Sequence, residues 1–264
     1  MNSSTGPSFV GVVSGKGGVG KTNLAANVAV AARGMGARVL VVDGDLGLAN
    51  LDVLLGIVSL RNAADVLSGS CSLSEAIAIG PCGIHVLPAA SARDDLTALR
   101  PRELAALLVP LFRAAERYDL VLIDAGAGVG PSVLGLAAAC DRLLLVTTPE
   151  PTAFADAYAM LKVAGRELAG IPIELVVNET RTPQDARRIH HRLCKLARRF
   201  LSQAPTLIGA VPQDPFLAQA VARQQAVVDS FPSAPSSRAF QRLAARLLDS
   251  PRPRLVDAAA AMEA

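Results

Sequence analysis

A glycine-rich loop at residues 15–22 constrains this chain more than any other part of its sequence. The loop has the sequence Gly-Lys-Gly-Gly-Val-Gly-Lys-Thr and satisfies the phosphate-loop pattern G-x-x-x-x-G-K-[ST]. That pattern requires a strand before it and a helix after it, and apolar residues 9–14 and the helical stretch 21–33 supply both. The candidate phosphate-binding residues are therefore Gly15, Lys16, Gly17, Gly18, Val19, Gly20, Lys21 and Thr22.

The chemistry of the loop follows from its residue types. Glycines let backbone N–H groups turn toward a phosphate, and the helix that follows directs its positive end there. We expect Lys21 to bridge the β- and γ-phosphates of ATP and the Thr22 hydroxyl to ligate Mg²⁺. The alternative is a glycine-rich turn without a ligand, which the strand-loop-helix context disfavours.

The rest of the chain alternates short apolar runs with stretches of helical period, which predicts an α/β fold. Buried parallel strands are expected at residues 9–14, 38–43, 84–88, 120–124, 142–147, 172–178 and 206–211. Helices are expected at 21–33, 101–117, 131–139, 155–169 and 183–201, three of which begin with proline, and a capping box at residues 72–75 predicts a further short helix. The prediction is one domain over residues 1–250, with a doubly wound, mostly parallel sheet and helices on both faces, followed by a loosely ordered tail at 251–264.

Composition narrows the class of protein. Hydrophobic residues make up 51% of the 264 residues, yet the longest apolar runs are only strand-length, so none is expected to cross a bilayer as a helix. The first eight residues lack the pattern of a signal peptide. We expect a cytoplasmic protein, with a peripheral position at the inner face of the membrane left open. Its four scattered cysteines are expected to be reduced and mostly buried.

Three carboxylates follow predicted strands at the edge where an open parallel sheet binds its ligands. Asp43 and Asp45 follow the second strand as Asp-Gly-Asp, and Asp124 ends the hydrophobic strand 120–124. Two carboxylates near Mg²⁺ and a γ-phosphate can divide the work, one supporting the metal and one orienting water. Asn178 and Pro212-Gln-Asp214 follow two further strands, and asparagine offers the donor and acceptor pair that the edge of adenine needs.

Lys16 sets this phosphate loop apart, since a second lysine is not needed to hold phosphates within one subunit. The loop resembles that of the deviant Walker A ATPases, the family of ParA, MinD and the nitrogenase iron protein. The resemblance implies that Lys16 reaches the nucleotide of a partner subunit, that Asp45 is the residue of the catalytic water, and that Asp43 and Asp124 serve the metal. It also implies nucleotide contacts at Asn23, Glu150, Asn178, Pro212 and Asp214, and a glycine switch at Gly126 and Gly128.

Several stretches resemble one branch of that family, the FlhG/FleN regulators of flagellar number. These are residues 43–56, residues 124–128 and the sequence Thr-Thr-Pro-Glu-Pro-Thr at 147–152. The resemblance implies an ATP-bound homodimer and, as partner, a flagellar signal-recognition-type GTPase or a flagellar transcription activator. Three alternatives stay open: a DNA-segregation ATPase of ParA type, a division-site ATPase of MinD type, and a non-cycling regulator that sequesters the activator.

Residues 181–202 carry seven Arg or Lys against one Asp, whereas the whole chain has a net charge of +3. The favoured interpretation is a core helix with a solvated basic face, and a contact for anionic lipid or DNA is the alternative. We therefore do not expect nucleic acid as a partner. The tail, residues 255–264, has no Lys or Arg, so we do not expect it to attach the protein to a membrane.

Overall fold

The computed structural model describes residues 6–45, 50–89, 99–201 and 204–250. The predicted tail at 251–264 lies outside these residues. Within them, no helix is both long and apolar enough to cross a membrane.

A single eight-stranded sheet forms the centre of the described chain, in the order β3-β4-β2-β5-β1-β6-β7-β8. Its neighbours pair in parallel, except that β3 runs antiparallel to β4. The predicted α/β class and mostly parallel sheet are therefore confirmed. The strands are β1 (Ser8–Ser14), β2 (Val39–Gly44), β3 (Ala78–Ile79), β4 (His85–Leu87), β5 (Leu120–Ala127), β6 (Arg142–Thr147), β7 (Ile173–Thr180) and β8 (Thr206–Pro212).

Helices cover both faces of the sheet, as predicted. They are α1 (Lys21–Gly34), α2 (Leu51–Leu55), α3 (Ala63–Leu67), α4 (Leu73–Ala76), α5 (Pro101–Ala115), α6 (Pro131–Ala138), α7 (Pro151–Glu167), α8 (Pro183–Phe200), α9 (Pro215–Ala222), α10 (Val227–Ser230) and α11 (Pro235–Asp249). Helices α3 to α8 lie mainly on one face, and α1, α2 and α9 to α11 lie on the other.

The period of two along each strand divides the core between these faces. In β1, Phe9 and Val13 belong to the core under α5 to α7, whereas Val10 and Val12 belong to the core under α1 and α11. All four side chains are at most 1% exposed. Strands with both faces buried read as continuous apolar runs, which is why the sequence marks the central strands clearly.

The structure differs from the predictions at several elements. Helix α7 begins at Pro151, four residues before the predicted start. Pro151 occupies its first turn, just as proline does in the three helices that were correctly predicted to begin with proline. Strand β5 runs to Ala127, so Gly126 lies within the strand and not in a loop after it. Strand β3 and helices α2, α3 and α9 to α11 were not predicted from the sequence. The capping box at Ser72 is confirmed, because Glu75 N–H lies 3.4 Å from Ser72 Oγ and Ser72 N–H lies 2.8 Å from the Glu75 carboxylate.

The cysteines correct one prediction. Only Cys140 is buried, Cys71 and Cys194 are half-buried, and Cys82 is exposed, so the expectation of mostly buried thiols was wrong. Cys82 is exposed because it lies in a short turn between β3 and β4 with a left-handed backbone, φ 55°. All four are free thiols.

Candidate functional site

The phosphate loop joins the end of β1 to the start of α1, as the sequence predicts. Gly18 and Gly20 have φ angles of 77° and 88°, in the left-handed region that only glycine adopts without strain. Gly20 is the N-cap residue of α1, where it offers no side-chain acceptor, and the first turn of α1 has no acidic residue. The positive end of α1 is thus left for an anion.

Two close contacts hold the loop in place. A Cβ at Gly15 would lie 2.0 Å from the carbonyl oxygen of Asp156, so only glycine lets the loop pass this close to α7. On its other side, Asn178 Nδ2 donates to the Val19 carbonyl at 2.9 Å, and a Cβ at Gly20 would lie 2.3 Å from the same Nδ2. Asn178 is 5% exposed and here supports the loop from behind.

Asp124 lies at the bottom of the site. It is 2% exposed, accepts a hydrogen bond from the Thr22 hydroxyl, and pairs in register with Asp43 of the neighbouring strand. Burial raises the pKa of Asp124 to about 6, against the opposing effects of the Thr22 hydrogen bond and the Lys21 charge. Its Oδ1 is buried and has no hydrogen-bond partner among the described residues. A buried carboxylate oxygen left unsatisfied indicates that a further ligand completes the site.

Asp43 is fully engaged with backbone groups. Its carboxylate accepts from Asp45 N–H at 3.1 Å and from Asn50 and Leu51 N–H at 3.3 Å each, so it fixes the start of α2 to the end of β2. Burial, followed by the charge of Asp124, raises the pKa of Asp43 to about 7. In this arrangement Asp43 lies next to the metal candidates and holds the loop of Asp45.

Lys21 supplies the positive charge that interacts with Asp124 and Asp45. It is 9% exposed, and burial lowers its pKa, while the charges of Asp124 and Asp45 raise it. Asp45 is half-buried and faces β5, since a Cβ at Gly126 would lie 3.8 Å from its Oδ1. The fold therefore brings Lys21, Thr22, Asp43, Asp45 and Asp124 to one end of the sheet.

These residues fit Mg²⁺ bound with a nucleotide phosphate. Magnesium takes oxygen ligands and is commonly held by one or two carboxylates, a hydroxyl and phosphate oxygens. Thr22 and the unpartnered Asp124 oxygen supply the hydroxyl and the carboxylate beside the positive end of α1.

Lys16 points away from the loop it belongs to. Its Nζ donates to Glu150 Oε2 at 3.2 Å and to Thr152 Oγ1 at 3.1 Å, at the start of α7. The Lys16 side chain is 41% exposed and that of Glu150 63%, so the ion pair is open to solvent. Thr152 was not among the predicted site residues, although it lies in the sequence 147–152 that carried part of the family resemblance.

The remaining predicted contacts lie further out. Asp214 is the N-cap of α9, where it accepts from Phe216 N–H at 3.0 Å, and its other oxygen accepts from the Ser236 hydroxyl at 2.6 Å. Pro212 ends β8 just before it. Asn23 lies in the first turn of α1, with a buried Oδ1 that has no hydrogen-bond partner among the described residues.

Several known proteins are similar to this chain in sequence or in structure. Residues 7–248 match the family model described as ParA, NUBPL iron-transfer P-loop NTPase. The chain is 38% identical to the antiactivator FleN of Pseudomonas aeruginosa, over 92% of this chain and 87% of FleN. It is 30% identical to the flagellum site-determining protein YlxH of Helicobacter pylori, over 91% and 81% of the two chains. The septum site-determining protein MinD of Pyrococcus horikoshii, solved with Mg-ADP, superposes with a TM-score of 0.74 at 29% identity, over 98% and 99%.

Proposed function

Since the chain belongs to the ParA/MinD family of P-loop NTPases, we propose that it is an ATP hydrolase that works as a dimerising switch and regulates flagellar number or placement. The observation that carries the proposal is the hydrogen bond between half-buried Thr22 and buried Asp124 at the positive end of α1, with one Asp124 carboxylate oxygen unpartnered among the described residues. The flagellar output is supported by the similarity to the antiactivator FleN and to YlxH over about nine-tenths of the chain.

In the proposed complex, backbone N–H groups of the loop and the Lys21 ammonium hold the β- and γ-phosphates of ATP. Thr22 and Asp124 hold Mg²⁺, which neutralises phosphate charge when it is bound. Lys21 is suited to this task because burial has lowered its pKa, so its positive charge is poorly solvated and gains from an anionic partner. Asn178 and residues 212–214 would contact the adenine base.

Asp45 is proposed to orient the attacking water. It is held at the end of β2 by the bond from its own N–H to Asp43, and its carboxylate faces β5 on the side of Lys21. Its half-buried position gives water access that the buried Asp43 and Asp124 lack. The three acids would thus divide the work: Asp124 for the metal, Asp43 for the loop and the metal shell, and Asp45 for the water.

Lys16 is proposed to act on the nucleotide of a second copy. Its ammonium is exposed, and its contacts with Glu150 and Thr152 are of the kind that exposed pairs exchange at little cost, about 0–1 kcal/mol. Docking of a second copy would move Lys16 to the partner's γ-phosphate, where it would stabilise the developing charge like an arginine finger.

Three variants test the switch. Lys21→Ala should lose binding of a fluorescent ATP analogue, whereas Lys16→Ala should retain it, because of the two lysines only Lys21 is proposed to contact phosphate within the subunit. Asp45→Ala should bind ATP·Mg, fail to hydrolyse it and accumulate as a dimer. Lys16→Ala should lose about 10³-fold of the hydrolysis rate and stay monomeric. Light scattering after gel filtration in ATP·Mg, with ADP as control, distinguishes them, and equal masses for Asp45→Ala and Lys16→Ala would contradict the mechanism.

The regulatory partner is proposed to be a flagellar transcription activator or a flagellar signal-recognition-type GTPase. Binding should depend on nucleotide if the dimer is the active form. We expect the purified activator to bind Asp45→Ala in ATP·Mg and to bind it at least about tenfold more weakly in ADP. Equal binding in both nucleotides would instead identify a regulator that sequesters its target without cycling, while leaving the ATPase site itself in place.

A further inference from the structure

The last strand of the sheet, β8, has no neighbouring strand on one side among the described residues. Its central residues Leu207 to Ala210 are half-buried, in contrast to the fully buried central strands. An edge strand of seven residues presents backbone donors and acceptors that another extended chain can pair with. The sequence of β8 has no charged residue to discourage such pairing.

Two helices flank this edge, one on each face of the sheet, and make it the floor of a groove. Helix α8 contributes Arg187, and α11 contributes Arg242 and Arg246. All three arginines are exposed and line a cavity of about 330 Å³ whose floor is β8. We call this cavity, with β8 and the three arginines, the edge groove. A Cβ at Gly209 would lie 2.5 Å from Leu243 Cδ2, so glycine at this position lets α11 pack closely on the strand.

One contact shows how the edge groove takes a donor. The Arg246 guanidinium donates through Nη1 to the carbonyl oxygen of Ile208, in the middle of β8. Ile208 has no register partner in β7, because the pairing passes from Leu175–Leu207 to Val176–Gly209, and the guanidinium N–H supplies a donor to its carbonyl. Arg246 thus protects the edge while it is empty, and it would be released to pair with an acid when a strand takes its place.

The charges around the groove are unequal. Within the described chain, neither Arg187 nor Arg242 forms an ion pair, and no acidic residue lines the cavity between them. Glu174 and Asp249 line a second cavity with Arg246, and Asp185, two residues before Arg187 in α8, is paired with Arg188. Glu174 already lies 3.8 Å from Arg142. The lining of the groove is therefore cationic, and the acids near its two ends already have basic partners or lie in the second cavity.

We propose that the edge groove binds an extended, acidic segment of a partner protein, which adds to the sheet as a strand beside β8. Backbone pairing would supply affinity, and carboxylates of the added strand would meet Arg187, Arg242 and Arg246. This surface is separate from the phosphate loop, so the proposal goes beyond the ATPase switch. A polyanion such as DNA would use the arginines but would have no use for an open strand edge or an apolar floor, so the observations favour a peptide.

A labelled heptapeptide of alternating glutamate and valine is a suitable probe. We expect it to bind the full chain in a fluorescence anisotropy titration and to slow hydrogen exchange of the β8 amides. The same peptide with alternate backbone nitrogens methylated keeps its charge but cannot pair as a strand, so it should bind at least about tenfold more weakly. Equal binding of the two peptides overturns the proposal, and this comparison needs no protein variant.

A pair of double variants then tests the charges. Arg187→Glu with Arg242→Glu should weaken the acidic peptide at least about tenfold, because two favourable charge contacts become repulsive. Arg102→Glu with Arg117→Glu, at two exposed positions in and just after α5, changes the net charge equally and should leave binding unchanged. Equal weakening by both pairs would mean that only the overall charge of the protein matters, and it would overturn the proposal. Binding of a short DNA duplex that depends on Arg187 and Arg242, with no binding of the peptide, would identify a nucleic-acid surface and equally overturn the proposal.

Discussion

Replacing Asp124 by asparagine should stabilise the protein when neither Mg²⁺ nor nucleotide is present. Burial raises the pKa of Asp124 from 3.8 to about 6. Each pKa unit corresponds to about 1.4 kcal/mol, so at about pH 8 the charged carboxylate lowers the free energy of unfolding by about 3 kcal/mol. Asparagine has nearly the same shape as aspartate, and its side-chain oxygen can still accept the hydrogen bond from Thr22. Its side-chain NH₂ group gains no acceptor in the site, which reduces the benefit, so the expected gain in the free energy of unfolding is about 1–3 kcal/mol.

The sign of the pH dependence follows from the direction of the shift. A carboxyl whose pKa is higher in the folded state is protonated there while the unfolded chain has already ionised. Its stabilising effect is present below about pH 4 and is lost as pH rises through about 6. Asp43, with its pKa raised to about 7, extends the loss toward neutral pH. The advantage of Asp124→Asn should therefore be large at about pH 8 and absent at about pH 4.

Urea unfolding in a metal chelator, at these two pH values, measures the effect. Asp249→Asn, which removes one exposed carboxylate at the end of α11, is the control and should change the free energy of unfolding by less than about 0.5 kcal/mol. With Mg²⁺ and ATP added, the wild type should gain more stability than Asp124→Asn, because only the wild type keeps the carboxylate. If Asp124→Asn were less stable than the wild type at about pH 8 in chelator, the account of this buried charge would be wrong.

Two further predictions concern the phosphate loop. Gly15→Ala should lower the free energy of unfolding by about 3 kcal/mol or more, because its Cβ would lie 2.0 Å from the Asp156 backbone. Gly17→Ala, whose Cβ would have its nearest contact at 3.9 Å, is the matched control and should change thermal stability little. Similar unfolding temperatures for the two variants would contradict this and show that α7 moves to accommodate the added Cβ. Asn178→Ala should lower the free energy of unfolding by about 1–3 kcal/mol in calorimetry without nucleotide, because the Val19 carbonyl loses its buried donor, and an unchanged value would contradict the supporting role of Asn178.

The sequence by itself determined the layers of this fold and the position of the phosphate loop. Central strands such as 120–123 can be recognised in the sequence, because a parallel strand that is buried on both faces is apolar at successive positions. The loop is marked because its backbone geometry demands glycine at positions such as Gly18 and Gly20, where φ is positive. Short elements escaped prediction. Helix α2 has five residues and β3 two, which is too few for a period to show.

In the candidate site, too, some features followed from the sequence and others did not. That Asp43, Asp45 and Asp124 would gather followed from the sequence, because parallel strands end at one edge of the sheet. Their different states did not follow. Asp43 accepts three backbone N–H groups, whereas Asp124 retains an unpartnered oxygen, and this difference depends on how the start of α2 folds back over β2.

Tertiary structure alone decided the contacts between distant parts of the chain. Lys16 is paired with Glu150, 134 residues away, and Asn178 supports Val19 across 159 residues. The edge groove likewise joins α8 and α11 around β8. No local pattern specifies such contacts, because each depends on which strands become neighbours in the sheet and which strand is left at its edge.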